Sequence, residues 1–548
     1  MSKRAASPSS KRPADVDEAS SSSAAGPSAQ KAKTSADASA STSRAQGGDD
    51  EDDMGEFEDQ FEDEMESESD EGEVVDANGD EDDEGMEIDG VKVDGEIQRP
   101  EGDEDDEVEP EAQVYLPGDA LEPGQQLEPD QSAYEMLHRL NVTWPCLSFD
   151  FLKDHLGSDR QKYPHTAYFA AGTQADTAKN NELMVMKASG MHRTNKDGNT
   201  SDDEDDDDDD DDLDDDAILE YRSIPHLGGI NRVRAAPTST PTSDLEPCLD
   251  PYPVATWSEL GKVHIFDVRP LFNALDRPGT QYDKKKVGTP LYTVEAHNGV
   301  EGYAMDWAGV SAGGASGSRA SNLRLLTGDL FSNIYLTTSN NSGFTTNPTP
   351  FTSHTSSVED LQWSPSETTV FASCSADTSV RVWDVRLKSR KSVITVDKAH
   401  PTDVNVISWN KKTGYLLLSG GDEGGLNVWD LRNFKKDATS KPLPVASFNW
   451  HTGPISSVEW HPTEESVFAA SGRDDQVTLW DLSVEQDEDE EGGAGARYGP
   501  DGREVPSQLL FCHQGASEIK EVHWNEQIPG MLTSTSADGF HLFKTISV

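Results

Sequence analysis

The sequence has little cysteine, no long hydrophobic run and too few basic residues to balance its acidic ones. Its 548 residues include four cysteines, and no two of them have the Cys-x-x-Cys spacing of a zinc site or a redox pair. Four scattered thiols also argue against a disulfide scaffold. No stretch approaches the roughly 18 to 20 apolar residues of a membrane span, and no apolar signal-peptide core follows the N-terminus. We therefore expect a soluble intracellular protein with no membrane partner.

Sequence motifs of common catalytic sites are also missing. There is no Walker phosphate-binding loop, no His-Glu-x-x-His zinc motif, no nucleophile elbow and no dinucleotide-binding fingerprint. The aspartate-rich run at 202–216 lacks the glycine turn and the ligand alternation of a calcium-binding loop. The sequence thus predicts a protein that is not an enzyme, with no catalytic residues, no cofactor and no metal site.

Acidic residues outnumber basic ones by 104 to 45, a formal net charge of −59, and they are concentrated in three segments. Residues 49–111 contain 34 acidic and two basic residues, residues 202–220 contain 15 acidic and no basic ones, and residues 485–491 contain six acidic ones. Together these segments carry −53 of the −59, which leaves a nearly neutral body. Such polyanions repel nucleic-acid phosphates and attract Lys/Arg-rich chains over about 8 Å at physiological salt. We therefore expect basic protein partners, no direct binding to nucleic acid, and binding that weakens as salt rises.

Composition divides the chain into four parts. Residues 1–48 are rich in Ser and Ala with a few basic pairs, which fit either a nuclear import signal or a basic tail without an address. Residues 49–126 are mostly acidic, and neither part can bury enough apolar surface to offset its ordering entropy, so both are predicted to be disordered. Residues 127–141 have apolar positions at helical spacing, which predicts one N-terminal helix. Residues 142–548 form the fourth part, with acidic insertions at 197–217 and 485–507.

A repeat runs through the fourth part. Units begin at His354, His400 and His451, and in each a Trp follows nine residues later and a Trp-Asp pair begins 29 residues later. This signature predicts blades of a WD-repeat β-propeller. Degenerate units bring the number to seven, with starts near residues 163, 226, 297, 354, 400, 451 and 513. We predict an all-β, seven-bladed propeller whose last blade is completed by a strand at 146–151, which closes the ring and removes exposed sheet edges.

The recurring polar residues favour a scaffold over a catalytic triad. An active site needs one constellation, whereas these residues recur in several units. In a blade, the His, the turn acid and the strand Trp can fix the turns through mutual hydrogen bonds. A structural role is therefore assigned to His354, Asp377, Trp383, Asp384, His400, Trp429, Asp430, His451, Asp474, Trp480 and Asp481.

The element Trp-Asp-x-Arg occurs at 383–386 and 429–432, with a Phe variant at 266–269. It resembles an element with which some propellers dock on a cullin ubiquitin-ligase adaptor. The alternative interpretation is an Arg that pairs with a local carboxylate.

Two runs at the start of the folded part resemble one family closely. Ser-Ala-Tyr-Glu-Met-Leu-His-Arg at 132–139 and Trp-Pro-Cys-Leu-Ser-Phe-Asp at 144–150, with the acidic tail and the aspartate run, are similar to the glutamate-rich WD-repeat ribosome-assembly chaperones. The resemblance covers about residues 125–548. It implies a nuclear, largely nucleolar chaperone that holds newly made large-subunit ribosomal protein L-three until it joins the pre-ribosome.

A broader resemblance links the chain to the retinoblastoma-binding histone-chaperone propellers, through residues 172–174, 181–185 and 509–513. In those relatives, the N-terminal helix and the acidic loop of the sixth blade form a groove for a basic histone helix. The loop in this chain is longer, contains Gly-Gly-Ala-Gly at 492–495 and lacks the paired prolines, so plain packing of the helix on the ring is the alternative. The resemblance and the aspartate run predict the partner-binding residues Tyr134, Leu137, His138, Asp205, Asp208, Asp211, Asp487, Glu488, Asp489, Glu490 and Glu491.

Three functional hypotheses follow. The first is a monomeric, non-enzymatic chaperone whose client is a basic ribosomal protein and which meets the pre-ribosomal particle only through that client. The second is a histone-binding chromatin subunit, and the third is a substrate receptor of a cullin ubiquitin ligase. The identity of the client separates the first two, whereas substitution of Arg386 and Arg432 tests the third.

Overall fold

The computed structural model describes residues 129–194, 216–237, 248–308, 323–434, 442–484 and 505–548. These residues form seven four-stranded antiparallel sheets. The first strands of neighbouring sheets contact one another in a closed ring. This arrangement confirms the predicted seven-bladed β-propeller. Within the described ranges, no helix is long and apolar enough to cross a membrane.

The strands are numbered in chain order and fall into seven blades. Blade 1 contains β2 (Cys146–Phe151), β3 (His165–Thr173), β4 (Glu182–Met191) and β5 (Ile218–Pro225). Blade 2 contains β6 (Ile230–Ala235), β7 (Pro253–Ser258), β8 (Lys262–Asp267) and β9 (Tyr292–Val294). Blade 3 contains β10 (Ala304–Trp307), β11 (Arg324–Gly328), β12 (Ile334–Asn340) and β13 (Gly343–Thr346).

The second half of the ring has the same plan. Blade 4 contains β14 (Val358–Trp363), β15 (Val370–Ser375), β16 (Val380–Asp384) and β17 (Ile394–Val396). Blade 5 contains β18 (Val404–Trp409), β19 (Leu416–Gly421), β20 (Leu426–Asp430) and β21 (Ala446–Phe448). Blade 6 contains β22 (Ile455–Trp460), β23 (Val467–Gly472), β24 (Val477–Asp481) and β25 (Leu509–His513). Blade 7 contains β26 (Glu521–Trp524), β27 (Met531–Ser536), β28 (Gly539–Thr545) and β1 (Tyr134–Asn141). Two short helices, α1 (Arg269–Asp276) and α2 (Lys284–Val287), lie between β8 and β9.

The core of the protein lies between the blades. Each of seven buried apolar clusters takes residues from two neighbouring blades; Val382 of blade 4, for example, shares a cluster with Ile407 of blade 5. The middle strands are therefore buried on both sheet faces, and β23 is buried at every position. Packing between sheets, rather than within one blade, holds the ring together.

Alternating connections give the ring two faces. Because the four strands of a blade are antiparallel, the connection between the second and third strands lies on the same face as the connection to the next blade. We call this the turn face. The connections between the first and second strands and between the third and fourth strands lie on the opposite face, which we call the insertion face.

The predicted N-terminal helix at 127–141 is wrong. Only a short 3-10 turn, Gln131–Ala133, follows Asp130, whose side chain accepts the Ser132 backbone N–H at 3.0 Å. The chain then enters β1, whose buried and less buried positions alternate. Met136, which helical spacing left off the apolar face, is fully buried. Pairing with the free edge of β28 decides the conformation, since it satisfies backbone groups that a helix would leave exposed on the sheet.

The strand that closes the ring was also misassigned. The predicted strand at 146–151 exists as β2, but it is the first strand of blade 1 rather than the last strand of blade 7. The strand β1 completes blade 7 by pairing with β28. Blade 1 consequently begins near residue 146 and not near 163. The Gly/Ser loop expected in blade 3 at 309–321 lies outside the described residues.

Candidate functional site

The recurring histidine of blade 4 lies in a hydrogen-bond network with the residues predicted to support it. Nδ1 of His354 lies 3.0 Å from the Asp377 carboxylate, and Nε2 lies 2.7 Å from Ser373 Oγ. The same hydroxyl accepts from the indole N–H of Trp383 at 2.8 Å. The network ties the turn between β15 and β16 to the strands on either side of it, so these residues fix the blade.

Blades 5 and 6 repeat this network with small changes. His400 lies 2.6 Å from a glutamate, Glu423, in place of the aspartate. His451 lies 2.9 Å from Asp474. The indoles that complete the two networks belong to Trp429 and Trp480. Three copies of one arrangement support the predicted scaffold role.

The aspartates of the Trp-Asp pairs lie at the opposite ends of their strands, on the insertion face. Asp384 accepts from Nε and Nη2 of Arg386 at 3.0 and 2.7 Å, and Asp430 accepts in the same way from Arg432. Asp481 accepts a backbone N–H two residues later. Both arginines therefore pair with a local carboxylate, the second interpretation given above. Docking of a ligase adaptor on them stays a prediction.

The predicted N-terminal partner residues lie on β1. Tyr134 is 5% exposed, and its hydroxyl lies 2.8 Å from Nδ1 of His513. Nε2 of the buried His138 lies 2.9 Å from the carbonyl oxygen of His192. Leu137 and His138 line a cleft of about 480 Å³ between β1 and the start of β5. Tyr134 thus has the packing role given as the alternative, and partner binding by these residues stays a prediction.

Removal of the Tyr134 hydroxyl should destabilise the ring. Tyr134→Phe keeps the edge contacts with two phenylalanines but leaves Nδ1 of the buried His513 without its partner. An unsatisfied buried group costs about 1–3 kcal/mol, and we expect the free energy of unfolding in urea to fall by this amount. Tyr221→Phe is the matched control, because Tyr221 is 49% exposed on β5. Equal losses in the two variants would contradict this role of the hydroxyl.

The remaining predicted partner residues lie outside the described residues; they are Asp205, Asp208, Asp211, Asp487, Glu488, Asp489, Glu490 and Glu491. The described residues nevertheless show where the chain that carries them joins the ring. Thr194 and Asp216 flank the first insertion between β4 and β5, and Val484 and Val505 flank the second between β24 and β25. Both are third-to-fourth-strand connections on the insertion face. The strand β1 also begins on this face, since its first residue pairs with the last residue of β28. All three acidic segments therefore join the insertion face, at blades 6, 7 and 1.

Four carboxylates lie together on the turn face, beside the inner strands of blades 3 to 5. Burial raises the pKa of Glu359, and the charge of Asp403 raises it further. The pKa of Asp403 is raised by burial and by Asp422. Burial, then Glu301 and Glu359, raise the pKa of Tyr303, which lies between these two carboxylates. Like charges that oppose one another's ionisation create a negative potential suited to Lys and Arg side chains.

Exposed apolar side chains adjoin these carboxylates. Leu227, Leu260 and Phe331 are 59%, 46% and 71% exposed. Ser258 joins the first two, because its hydroxyl donates to the Leu227 carbonyl at 3.0 Å and accepts the Leu260 N–H at 3.3 Å. The backbone N–H preceding Phe331 donates to the Glu301 carbonyl at 3.0 Å. We call the surface formed by these three side chains and the four carboxylates the turn-face surface.

A glycine contact makes the turn-face surface continuous across blades 2 and 3. Gly261 has φ +73° and packs on the backbone of Gly299, where an added Cβ would lie 2.1 Å from the carbonyl carbon. The turn that carries Leu260 is therefore held against the loop that leads to Glu301. Sequence reasoning missed this surface. The available signal was an apolar residue at the tip of a tight turn, as in Leu260-Gly261.

A buried ionic cluster joins the blades around the point of ring closure. Glu521 is 1% exposed; one of its oxygens accepts from Arg232 at 2.6 Å and from Arg234 at 2.7 Å, and the other accepts the Phe149 backbone N–H at 2.9 Å. Although burial works against its charge, nearby Glu521 helps to raise the pKa of His523 to about 9. One carboxylate of blade 7 thus binds blades 1 and 2.

Comparisons with known proteins agree with this architecture. Residues 346–384, 391–430 and 442–481 match the WD domain, G-beta repeat, and residues 124–192 match the family of histone-binding protein RBBP4 and its counterpart in the CAF1 complex. Ribosome assembly protein rrb1 of Schizosaccharomyces pombe is 43% identical over 90% of this chain and 93% of its own length. Glutamate-rich WD repeat-containing protein 1 of Dictyostelium discoideum is 42% identical over 78% of this chain and 83% of its own. Protein HEAT STRESS TOLERANT DWD 1 of Arabidopsis thaliana is 41% identical over 80% and 92%.

A closed ring of seven four-stranded blades with these repeats defines a WD-repeat β-propeller protein. The matches extend over most of the chain and most of each relative. The chain belongs to the glutamate-rich WD-repeat family of ribosome-assembly proteins. This confirms the resemblance inferred from the sequence, including its more distant relation to histone-binding propellers.

Proposed function

We propose that this protein is a non-enzymatic chaperone that binds a newly made basic ribosomal protein, in particular large-subunit ribosomal protein L-three, until it joins the pre-60S particle. The observation that carries the proposal is the distribution of negative charge. Segments with −53 of the net −59 join the insertion face, and the turn face presents carboxylates beside exposed apolar side chains. The similarity to a relative named ribosome assembly protein supports the pathway.

The two faces have different tasks in this proposal. Polyanions raise the rate of encounter with a Lys/Arg-rich client and neutralise it, but they discriminate poorly between basic proteins. The turn-face surface supplies discrimination, because Phe331, Leu260 and Leu227 can be buried only by a client with matching apolar residues. A client held in this way is kept from RNA, since its cations are already paired.

The proposal includes a place in the cell and a mode of action without chemistry. The protein acts in the nucleus and nucleolus, with a cytoplasmic pool that meets new clients, and the basic pairs in residues 1–48 support import. It works as a monomer and needs no cofactor. It contacts the pre-ribosomal particle through its client and binds no nucleic acid directly.

A histone-binding function is the second candidate, because residues 124–192 match the histone-binding family. Histone-binding protein MSI1 of Saccharomyces cerevisiae is 28% identical over 34% of this chain. The cleft beside Leu137 and His138 would then receive the histone. A ligase-receptor role would instead depend on Arg386 and Arg432.

A competition experiment separates the two candidates. The full-length protein is offered equimolar L-three and core histones at about 0.1 M and about 1 M salt, where the Debye length falls from about 10 to about 3 Å. We expect both to be captured at low salt and L-three alone to be retained at high salt. Joint elution of the two as salt rises would mean that the ring does not select a client, and the dedicated-chaperone proposal would fail.

A further inference from the structure

Two connections on the insertion face carry a concentration of basic side chains. One turn of α2 in blade 2 exposes three successive lysines, and the connection after β16 in blade 4 exposes three basic residues within six positions. Both are third-to-fourth-strand connections, like the acidic insertions of blades 1 and 6. We call these two segments the basic loops, with the side chains Lys284, Lys285, Lys286, Arg386, Lys388 and Lys391.

The lysines of the basic loops form no ion pair with any carboxylate in the described ranges of the chain. Asp283 next to α2 is engaged as a helix cap, since it accepts the backbone N–H groups of the second and third lysines at 2.9 and 3.3 Å. Lys391 donates to the Thr352 carbonyl oxygen, which carries no formal charge. By contrast, Lys153 and Lys411 on the same face both pair with Glu526. The basic loops therefore keep a positive charge that the described ring does not neutralise.

We infer that the basic loops are a docking surface for the chain's own acidic segment, residues 49–111. This segment has 34 acidic and two basic residues, so its charge is opposite to that of the loops. It connects to β1 through residues 112–128, and β1 begins on the insertion face, where both loops lie. The 17 residues between them can span at most about 60 Å, more than the roughly 40 Å taken up by two opposite four-stranded blades.

Covalent attachment favours this occupant over free RNA. A tethered segment meets its own ring at an effective concentration of the order of mM, which a free polyanion must match in solution. The same tether also repels RNA, because its phosphates would approach a segment of net charge −32. The contact goes beyond the proposed function: it holds the polyanion on the ring until a more basic chain competes for it.

Zero-length cross-linking of the full-length protein tests the contact without any client. A carbodiimide joins a lysine amine to a carboxylate only where the two are in contact, and the joined peptides are identified by mass spectrometry. At about 0.02 M salt we expect links from Lys284, Lys285, Lys286, Lys388 and Lys391 to residues 49–111, and at least a five-fold loss of them at about 0.5 M salt. Lys179, an exposed lysine on the turn face, is the matched control and should give few such links.

Two results would overturn the inference. Links to residues 49–111 that are as frequent at Lys179 as at the basic loops would show contact without a preferred surface. If a single-stranded RNA added at equal charge abolishes the links and is itself photo-cross-linked to the basic loops, the loops bind nucleic acid instead. Because no client is present, either result leaves the chaperone proposal to be decided by its own competition experiment.

Discussion

Replacing both Phe331 and Leu260 by Ser should weaken binding of L-three by about 30-fold or more, the loss expected for apolar anchors that a partner buries. Both side chains project from tight turns and are 71% and 46% exposed, so their loss removes no core packing. The dissociation constant is measured by titration of the full-length double variant at moderate salt. Its urea unfolding midpoint should match that of the parent, which separates loss of binding from loss of fold.

Leu249→Ser is the matched control for this experiment. Leu249 is 82% exposed and precedes β7, in a first-to-second-strand connection on the insertion face. Its replacement removes a similar apolar area from the other side of the ring, and the affinity should stay within about two-fold of the parent. If the control loses as much affinity as the double variant, or the double variant loses none, the turn face does not hold the client.

Glu521→Gln should lower the free energy of unfolding by about 3–5 kcal/mol, the cost of removing one partner from a buried ionic cluster. The amide cannot neutralise Arg232 and Arg234, which lie 2.6 and 2.7 Å from the carboxylate. It also leaves the charge of His523 with one fewer carboxylate beside it. Urea denaturation followed by tryptophan fluorescence measures the change.

Glu518→Gln controls for the loss of a carboxylate in the same blade. Its side chain is 71% exposed and pairs with Lys520, and exposed pairs contribute no more than about 1 kcal/mol. Similar losses in the two variants would show that the cluster around Glu521 does not hold the ring closed.

The sequence predicted those parts of the fold that depend on repeated local patterns. The His, turn-acid and Trp positions of blades 4 to 6 recur at fixed spacing because each blade needs the same network, and this was enough to count seven blades. The end of the ring could not be read in the same way. Both possible conformations of residues 134–141 bury apolar side chains, and only the free edge of β28, more than 400 residues away, selects the strand.

The turn-face surface shows a second limit of sequence reasoning. Leu227, Leu260 and Phe331 lie far apart in the chain, in the degenerate blades where the repeat signature is weakest. Their proximity to Glu301 depends on how neighbouring blades pack, which spacing within one unit does not contain. The acidic segments were conspicuous in the sequence, but their attachment to a single face follows only from the order of the strands.

The pairing of β1 with β28 also sets the order of events when the protein is made. The strand that leaves the ribosome near the start of the chain waits for a partner that is synthesised 404 residues after its own last residue. At about 5–20 residues per second, this interval lasts roughly 20–80 s, during which one edge of the unfinished sheet stays unpaired. The acidic segments on both sides of β1 have been made long before the interval ends, and their charge discourages edge-to-edge association between nascent chains. The polyanion that is proposed to protect a client thus first protects the chain that carries it.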